Sequence, residues 1–207
     1  MTGATGDSGR AVAAALRGAG HTVVAVGTNE DRLASVAASF RFVADLTDVA
    51  AAAALAARVR EEAGRADGLV HLVGGWRAGH APEDWAWLEP RLLGSLRATT
   101  LAFHDDLGAS DAGRLVVVGS ATAARPTWSG ANYAVLKTAA DAWVAGVASG
   151  WRKPGTAAAV TFVVRSLGGD GTPVGELATA VLPLWNEPAA ELNGAHIPLY
   201  RSKERET

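Results

Sequence analysis

The chain alternates between segments with the apolar spacing of helices and short apolar runs that are typical of buried strands. The first predicted helix covers residues 8–17, and the first predicted strand covers residues 21–26. Further strands are predicted at 42–44, 68–73, 114–119, 157–164 and 195–199, and further helices at 30–39, 48–62, 84–107, 131–149 and 174–185. Strands that are apolar on both faces and alternate with helices indicate an α/β fold with a doubly wound parallel sheet. Ligands of such folds bind beyond the C-terminal ends of the strands.

The start of the sequence is unusual for this architecture. Only Met1 precedes the glycine-rich segment at residues 2–9, where a dinucleotide-binding fold would have its first, central strand. Without that strand, backbone groups on both neighbouring strands would lose their partners. We therefore expect the first strand to be missing or truncated. Either the true start lies upstream, which we favour, or the N-terminal half is arranged differently.

Composition narrows the class of protein. Hydrophobic residues make up 49% of the 207 residues and charged residues 19%, so a sizeable core can form in one domain covering residues 1–207. The chain contains no cysteine, which excludes disulfides and thiolate chemistry. The net charge of −2 argues against nucleic acid as a partner. No apolar stretch is long enough to span a bilayer and no export signal is recognisable, so we expect a cytoplasmic protein without a membrane partner. Five scattered histidines show no metal-binding spacing, and the polar segment 201–207 is expected to be a flexible tail.

The segment Thr2–Gly9 runs directly into the first predicted helix. Glycines three residues apart permit a tight turn, and they let backbone N–H groups approach a pyrophosphate at the N-terminus of the helix. An ordinary glycine-rich loop is the alternative, and the downstream positions favour binding. The residues predicted to bind the dinucleotide here are Gly3, Thr5, Gly6, Ser8 and Gly9.

Two later strand ends extend this predicted site. Thr28 follows the strand that meets the adenosine ribose in such folds, but it is neither the acidic residue that selects NAD nor an arginine that accepts a 2′-phosphate. Asp45 and Leu46 follow the next strand, where a carboxylate can reach the adenine amino group. Asp45 could instead simply cap a loop. The choice between NADP and NAD therefore stays open.

Candidate chemistry is concentrated on Ser120, Tyr133 and Lys137. Ser120 ends a predicted strand, and Tyr133 and Lys137 follow at separations of 13 and 4 residues. Residues four apart share one face of a helix, so the ammonium can approach the phenol and lower its pKa. A phenol with a lowered pKa suits acid–base catalysis of carbonyl–alcohol interconversion, and the serine can hydrogen-bond the substrate oxygen. A surface tyrosine beside a solvated lysine is the alternative, but the chain has only two tyrosines and three lysines.

These motifs resemble the short-chain dehydrogenase/reductase family. The resemblance is carried by TGATGDSG, ADLTD, VHLVGGW and the serine that is separated from YAVLK by 12 intervening residues. It implies a Rossmann-type fold, bound NADP or NAD, and assembly as a homodimer or homotetramer. It also implies that Tyr133 is the catalytic acid/base, that Lys137 binds the nicotinamide ribose, that Ser120 orients the substrate, and that Gly74 contacts the cofactor.

Several positions depart from the family pattern. The helix asparagine that often completes the catalytic set falls at Leu92 or Leu93, and the usual Asn-Asn-Ala-Gly is replaced by residues 71–74. The usual Pro-Gly after the sixth strand is replaced by residues 165–169. The segments at 73–79 and 154–159 are similar to the dihydropteridine-reductase branch, although that branch lacks the serine. This similarity implies that Trp76 offers a flat ring on which a planar heterocycle can stack.

Trp128 is a second candidate for substrate contact, whereas the helical tryptophans are predicted to be packing or interface anchors (Trp85, Trp87, Trp143 and Trp151). The sequence thus predicts an NAD(P)(H)-dependent oxidoreductase acting on a carbonyl, alcohol or conjugated imine of a small, cyclic substrate. A catalytically inactive dinucleotide-binding or regulatory protein is the main alternative. A cofactor-independent isomerase or dehydratase is a third.

Overall fold

The computed structural model describes residues 1–153 and 155–200, so the predicted tail at 201–207 lies outside the described residues. Helices and strands alternate along the described chain. They are α1 Asp7–Gly18, β1 Val24–Gly27, α2 Glu30–Ala34, β2 Phe40–Val43, α3 Val49–Ala63, β3 Gly68–His71, α4 Pro82–Glu89, α5 Ser95–Gly108, β4 Arg114–Ser120, α6 Ala131–Trp151, β5 Ala158–Val164, α7 Val174–Val181, α8 Ala189–Leu192 and β6 His196–Pro198.

Every pair of neighbouring strands is parallel. β1 pairs with β2, and a second run of pairing follows the order β3-β4-β5-β6. Helices cover both faces: α1 and α7 pack on one face, and α3, α5 and α6 pack on the other. Strands β3, β4 and β5 are buried on both faces; in β4, Val116 faces one helical layer and Leu115 faces the other. The predicted doubly wound parallel sheet is therefore confirmed.

The first strand is reduced to a short remnant between β1 and β3. Thr2 forms parallel bridges to Val26 on one side and to His71 on the other. Its N–H donates to Val70 O at 3.0 Å, and Met1 O accepts from Val26 N at 2.9 Å. The prediction of a truncated first strand is confirmed, and the two residues present join the two parts of the sheet near their C-terminal ends.

Beyond this remnant, β1 and β3 stand apart. A cavity of about 440 Å³ separates them, with walls that include Val24, Leu69 and Phe103. The Met1 amino group points into this region and donates to Val24 O at 2.7 Å. Burial lowers the pKa of that amino group to about 5.

Several predicted helix boundaries are wrong, mostly because of proline or of local capping. The helix predicted over 84–107 is interrupted by a π-helical turn at Pro90–Gly94, since proline lacks the N–H that a continuous ladder needs. The helix predicted over 30–39 ends at Ala34, and the one predicted over 174–185 passes into a 3-10 turn at Leu182–Trp185. Asp48 caps α3, because its Oδ1 accepts from Ala50 N at 2.8 Å.

The helical tryptophans differ in their surroundings. Trp151 is buried in the core, and Trp143 is half-buried with the Arg97 guanidinium 5.0 Å from its ring centroid. Trp85 is exposed. No helix in the two described ranges combines the length and the apolar character that crossing a bilayer requires.

Candidate active site

A cavity of about 560 Å³ opens at the C-terminal edge of the sheet. Its walls contain residues that lie far apart in the sequence but meet because parallel strands end at one edge. Among them are six of the predicted site residues: Ser8, Gly74, Trp76, Ser120, Tyr133 and Lys137. The structure thus places the three predicted catalytic residues around one space, together with Trp76 and with Ser8 and Gly74 from the predicted cofactor site.

Ser120 and Tyr133 face this cavity from two different elements. Ser120 is the last residue of β4 and is buried, while Tyr133 lies in the first turn of α6. The Ser120 hydroxyl forms a 2.7 Å hydrogen bond with Thr122 Oγ1, and either oxygen can be the donor. The same hydroxyl favours ionisation of the phenol and so acts to lower the pKa of Tyr133.

The net change in the Tyr133 pKa contradicts the expectation from the sequence. Burial of the phenol raises its pKa above the ordinary value, and the hydrogen bond from Ser120 offsets only part of that increase. The pKa of Tyr133 shows no effect of Lys137, whose Nζ donates to Val118 O at 2.7 Å. The sharing of a helix face by Tyr133 and Lys137 was correctly predicted, but its electrostatic consequence was not.

Lys137 has an unusual environment for a lysine. Burial lowers its pKa to about 8, while the attraction of Asp141 acts to raise it. At neutral pH Lys137 is therefore protonated in most molecules, and its ammonium donates to a backbone carbonyl of β4. It can present the remaining N–H groups to a ligand in the cavity.

The glycine turn has the close backbone packing that a phosphate cradle requires. Gly3 has φ +67°, and a Cβ there would lie 2.5 Å from Leu72 O. A Cβ at Gly9 would lie 2.3 Å from Gly3 O, so only glycine fits at either position. Gly6 is exposed and precedes α1, and no side chain caps the helix. The N–H groups at the start of α1 are thus available to an anion.

Two arginines lie beside the turn. Arg32 Nη2 donates to Thr5 O at 3.1 Å, and Arg10 Nη1 donates to Ser35 Oγ at 2.9 Å. Thr28 is exposed at the end of β1, close in sequence to Asn29, which caps α2. Two guanidinium groups therefore lie at this end of the site, and α2 also carries Glu30 and Asp31 in its first turn.

Asp45 and Leu46 have different surroundings. Asp45 Oδ1 accepts from Thr47 N at 3.0 Å and from Thr47 Oγ1 at 2.7 Å, and these hydrogen bonds lower the pKa of Asp45. These contacts match the alternative interpretation, in which Asp45 caps a loop. Leu46 is buried in the core beside α3, so only its backbone faces the site. Neither residue is part of the cavity wall that contains Tyr133.

A second cavity of about 670 Å³ adjoins the first. Trp76, Tyr133 and Arg165 line both cavities, whereas Arg125 and Tyr200 line only the second. Trp76 is 67% exposed, so its ring face is open to a ligand. Among the described residues Trp128 is in neither wall; its ring stands 4.4 Å from that of His80.

His71 is a buried site residue that the sequence reasoning noted only as a departure from the family pattern. Its Nδ1 lies 3.0 Å from Thr2 Oγ1 and 3.2 Å from Thr99 Oγ1, and its Nε2 lies 3.3 Å from Ser95 Oγ. Burial lowers the pKa of His71 to about 3, so the ring is neutral. It ties the short first strand to α5 beneath the cavity. The feature of the sequence that could have identified His71 is its position at the end of a buried strand.

Leu92 occupies the place where the family pattern has an asparagine. It is buried on the π-helical turn, and its Cδ2 lies 3.6 Å from the position of a Cβ on Gly74. Hydrocarbon therefore lines this part of the cavity. In the described part of the chain, no group of three or more histidine or acidic side chains is placed to hold a metal ion.

The parallel sheet, the glycine turn and the Ser-Tyr-Lys cluster define the class of protein, a dinucleotide-binding α/β fold. The sequence model described as "short chain dehydrogenase" matches residues 1–174. The chain belongs to this family. It is 33% identical over 156 residues to the 2,3-dihydro-2,3-dihydroxybenzoate dehydrogenase of Bacillus subtilis strain 168, a match that covers 68% of this chain and 58% of that relative.

Solved structures show the same fold at low sequence identity. The NADPH-bound short-chain oxidoreductase of Pseudomonas aeruginosa PAO1, described as containing an atypical catalytic centre, has a TM-score of 0.89. It is 19% identical, with 100% of this chain and 96% of that chain covered. An NAD⁺-bound xylitol dehydrogenase has a TM-score of 0.85 at 17% identity, with 95% of each chain covered.

Proposed function

We propose that this protein is an NAD(P)(H)-dependent oxidoreductase that acts on a carbonyl, alcohol or conjugated imine of a small cyclic substrate. The observation that carries the proposal is the single cavity in which Ser120, Tyr133 and Lys137 meet the glycine turn through Ser8. The family supports a nicotinamide dinucleotide as cofactor, and relatives in fold are described as bound to NADPH or NAD⁺.

The residues around the cavity fit such a cofactor. Because Gly3 and Gly9 lack side chains, the turn packs closely against the neighbouring backbone. The uncapped N-terminus of α1 suits the pyrophosphate. Lys137 would donate to the nicotinamide ribose, and Gly74 leaves open space beside Leu92. When bound, the nicotinamide supplies a carbon that accepts or donates hydride.

The protein's own side chains would donate and accept the proton. In the oxidative direction, a substrate hydroxyl hydrogen-bonded by Ser120 would transfer its proton to the Tyr133 oxygen as the C–H hydride departs. In the reductive direction, the Tyr133 hydroxyl would give that proton to the developing alkoxide. Because burial raises the Tyr133 pKa, the phenol is protonated at neutral pH and is ready as an acid.

The adjoining cavity suggests the chemical character of the substrate. Trp76 offers an open ring face for stacking, and Arg125 and Arg165 place positive charge on the walls. A cyclic substrate that carries an acidic group suits this lining. The B. subtilis relative is named for a ring compound that carries a carboxylate. Trp128, which is highly exposed, would contact the substrate only if its loop moved towards the cavity.

We also propose a preference for NADP. Arg32 and Arg10 lie beside Thr5 and Ser35, at the end of the site where the adenosine ribose is expected. A guanidinium there would accept the 2′-phosphate that distinguishes NADP from NAD. Thr28 and Asn29 immediately follow β1, and the first acidic residues after it are Glu30 and Asp31 in the first turn of α2.

The assembly proposed is a cytoplasmic homodimer or homotetramer. Large apolar side chains are exposed on the long helices α5 and α6, at Leu101 (59%) and Val135 (55%). An exposed apolar surface on two neighbouring helices favours association. Light scattering on the purified protein measures the mass, and Leu101→Glu combined with Val135→Glu is expected to give monomers.

The function is tested by dinucleotide binding and by turnover. NADPH and NADH are titrated into the protein by fluorescence, and oxidation of NADPH is followed with a panel of small cyclic ketones, some bearing a carboxylate. Tyr133→Phe is expected to keep dinucleotide binding and to lose at least about 100-fold in kcat. Thr138→Ala, an exposed hydroxyl on the same helix, is the matched control and should retain both.

The outcomes separate the alternatives. Binding with turnover that depends on Tyr133 supports the proposal. Binding of NADPH without turnover of any substrate in the panel would favour the inactive dinucleotide-binding protein. Failure of the unmodified chain to bind either dinucleotide would overturn both interpretations.

A further inference from the structure

Asp141 lies on the same face of α6 as the two candidate catalytic residues. It stands four residues after Lys137 and eight after Tyr133, so three ionisable groups follow one another along the helix. Lys137 Nζ donates to Val118 O, and Asp141 Oδ1 lies 3.5 Å from the position of a Cβ on the next residue, Gly119. The ammonium and the carboxylate thus meet consecutive residues of β4.

Gly119 allows this close approach. A Cβ at this position would lie 2.6 Å from Thr161 Cγ2 on the neighbouring strand, as well as within contact of the Asp141 carboxylate. A larger residue would therefore have to displace Thr161 or the carboxylate. The glycine in β4 leaves the space that the Asp141 side chain uses to reach the sheet.

The charges around Lys137 and Asp141 support a functional pair. Asp141 raises the pKa of Lys137 against the effect of burial, and Lys137 in turn lowers the pKa of Asp141, which burial raises. His71 faces Lys137 from β3 and is neutral. His196 faces Asp141 from β6, with Nε2 4.0 Å from Oδ1. Asp141 is therefore the only acidic group that these contacts place beside Lys137 in the described structure.

We propose that Asp141 is a positioning residue: its carboxylate, which meets β4 one residue beyond the carbonyl that binds Lys137, holds the Lys137 ammonium at this point of the sheet. The proposal rests on the function proposed above, in which the Lys137 ammonium donates to the nicotinamide ribose. The competing explanation is structural: Asp141 would only join α6 to β6 through His196.

The lysine content of the chain permits a direct test. The sequence contains only Lys137, Lys153 and Lys203, so lysine labelled with ¹³C at Cε gives three signals, and Lys137→Arg identifies the one of interest. In the unmodified protein the Lys137 signal should titrate with a midpoint of about 8. Asp141→Asn should lower that midpoint by about one pH unit, because a neighbouring opposite charge is removed. Asp141→Glu should keep it near its original value.

Asp105→Asn is the matched control. The Asp105 side chain is fully exposed and also lies beside a histidine, His104, at 3.2 Å. This variant should leave the Lys137 titration unchanged. His196→Asn tests the structural explanation, since it removes the contact with β6 while it leaves the carboxylate beside Lys137.

An unchanged Lys137 midpoint in Asp141→Asn would overturn the proposal, and Asp141→Ser gives a second neutral variant should the first fail to fold. A lowered midpoint should also move the basic limb of the kcat/KM profile to lower pH, because Lys137 then loses its proton earlier. The titration itself needs neither substrate nor dinucleotide. A protein that never turns over but shows the shift would contradict the proposed function and leave the role of Asp141 intact.

Discussion

Gly9→Ala is expected to damage the dinucleotide site more than its small size suggests. The added Cβ would stand 2.3 Å from Gly3 O and 2.7 Å from Ala4 Cα, both backbone atoms that cannot rotate away. Relief requires α1 to move from the turn by about 1 Å, since ordinary contacts begin near 3.4 Å. Overpacking of this kind costs about 1–3 kcal/mol, and the gain in helix propensity returns about 0.5–1 kcal/mol. The net loss in the free energy of unfolding should be about 1–2 kcal/mol.

Binding should suffer in addition to stability, because the same movement opens the cradle around the pyrophosphate. We expect NADPH affinity to fall at least about tenfold, which corresponds to about 1.4 kcal/mol. Chemical denaturation measures the first quantity, and fluorescence titration of the folded variant measures the second. Gly146→Ala is the control: a Cβ there meets no atom within 4 Å, so this variant should gain stability and keep affinity. Wild-type affinity in Gly9→Ala would refute the assignment of the turn.

Two further predictions concern charge. Arg32→Ala should weaken NADPH binding about tenfold while changing NADH binding little. Arg17→Ala, at the far end of α1, should alter the binding of neither dinucleotide. Equal losses of affinity for both dinucleotides in Arg32→Ala would contradict the assignment of Arg32 to the 2′-phosphate. His71 has a folded pKa of about 3, so below about 6.5 the unfolded chain takes up a proton that the folded chain refuses. Unfolding free energy should therefore fall with decreasing pH between about 6.5 and 3, by up to about 1.4 kcal/mol per pH unit. When the unfolding free energy is measured by denaturation across that range, its dependence on pH should be shallower in His71→Gln than in His104→Gln. Equal pH dependence in the two variants would contradict the assignment to His71.

The order of the elements and the clustering of the site residues could be predicted from the sequence for a simple geometric reason. Parallel strands end at one edge, so Ser120 after β4 and Ser8 after the first turn must approach each other. The four-residue spacing of Tyr133 and Lys137 fixes a shared helix face wherever the helix lies.

What the sequence did not reveal depends on surroundings that spacing alone does not describe. The higher pKa of Tyr133 comes from burial of the phenol, which does not follow from the distance between Tyr133 and Lys137 along the helix. The neutral His71 depends on hydroxyls from two other elements. Pro90 was a visible signal for the interruption of the long helix, but the apolar period continued across it. Asp141 continued the spacing of Tyr133 and Lys137 and was overlooked.

The position of the nicotinamide end of the dinucleotide beside Lys137 is the claim on which the proposed chemistry depends. The most direct measurement is to add NADPH to protein that carries ¹³C-labelled lysine and to follow the three signals. The account predicts that the Lys137 signal moves saturably with NADPH, while that of Lys153, on the far side of α6 from Tyr133, stays in place. Saturating NADPH that leaves the Lys137 signal unmoved would contradict it.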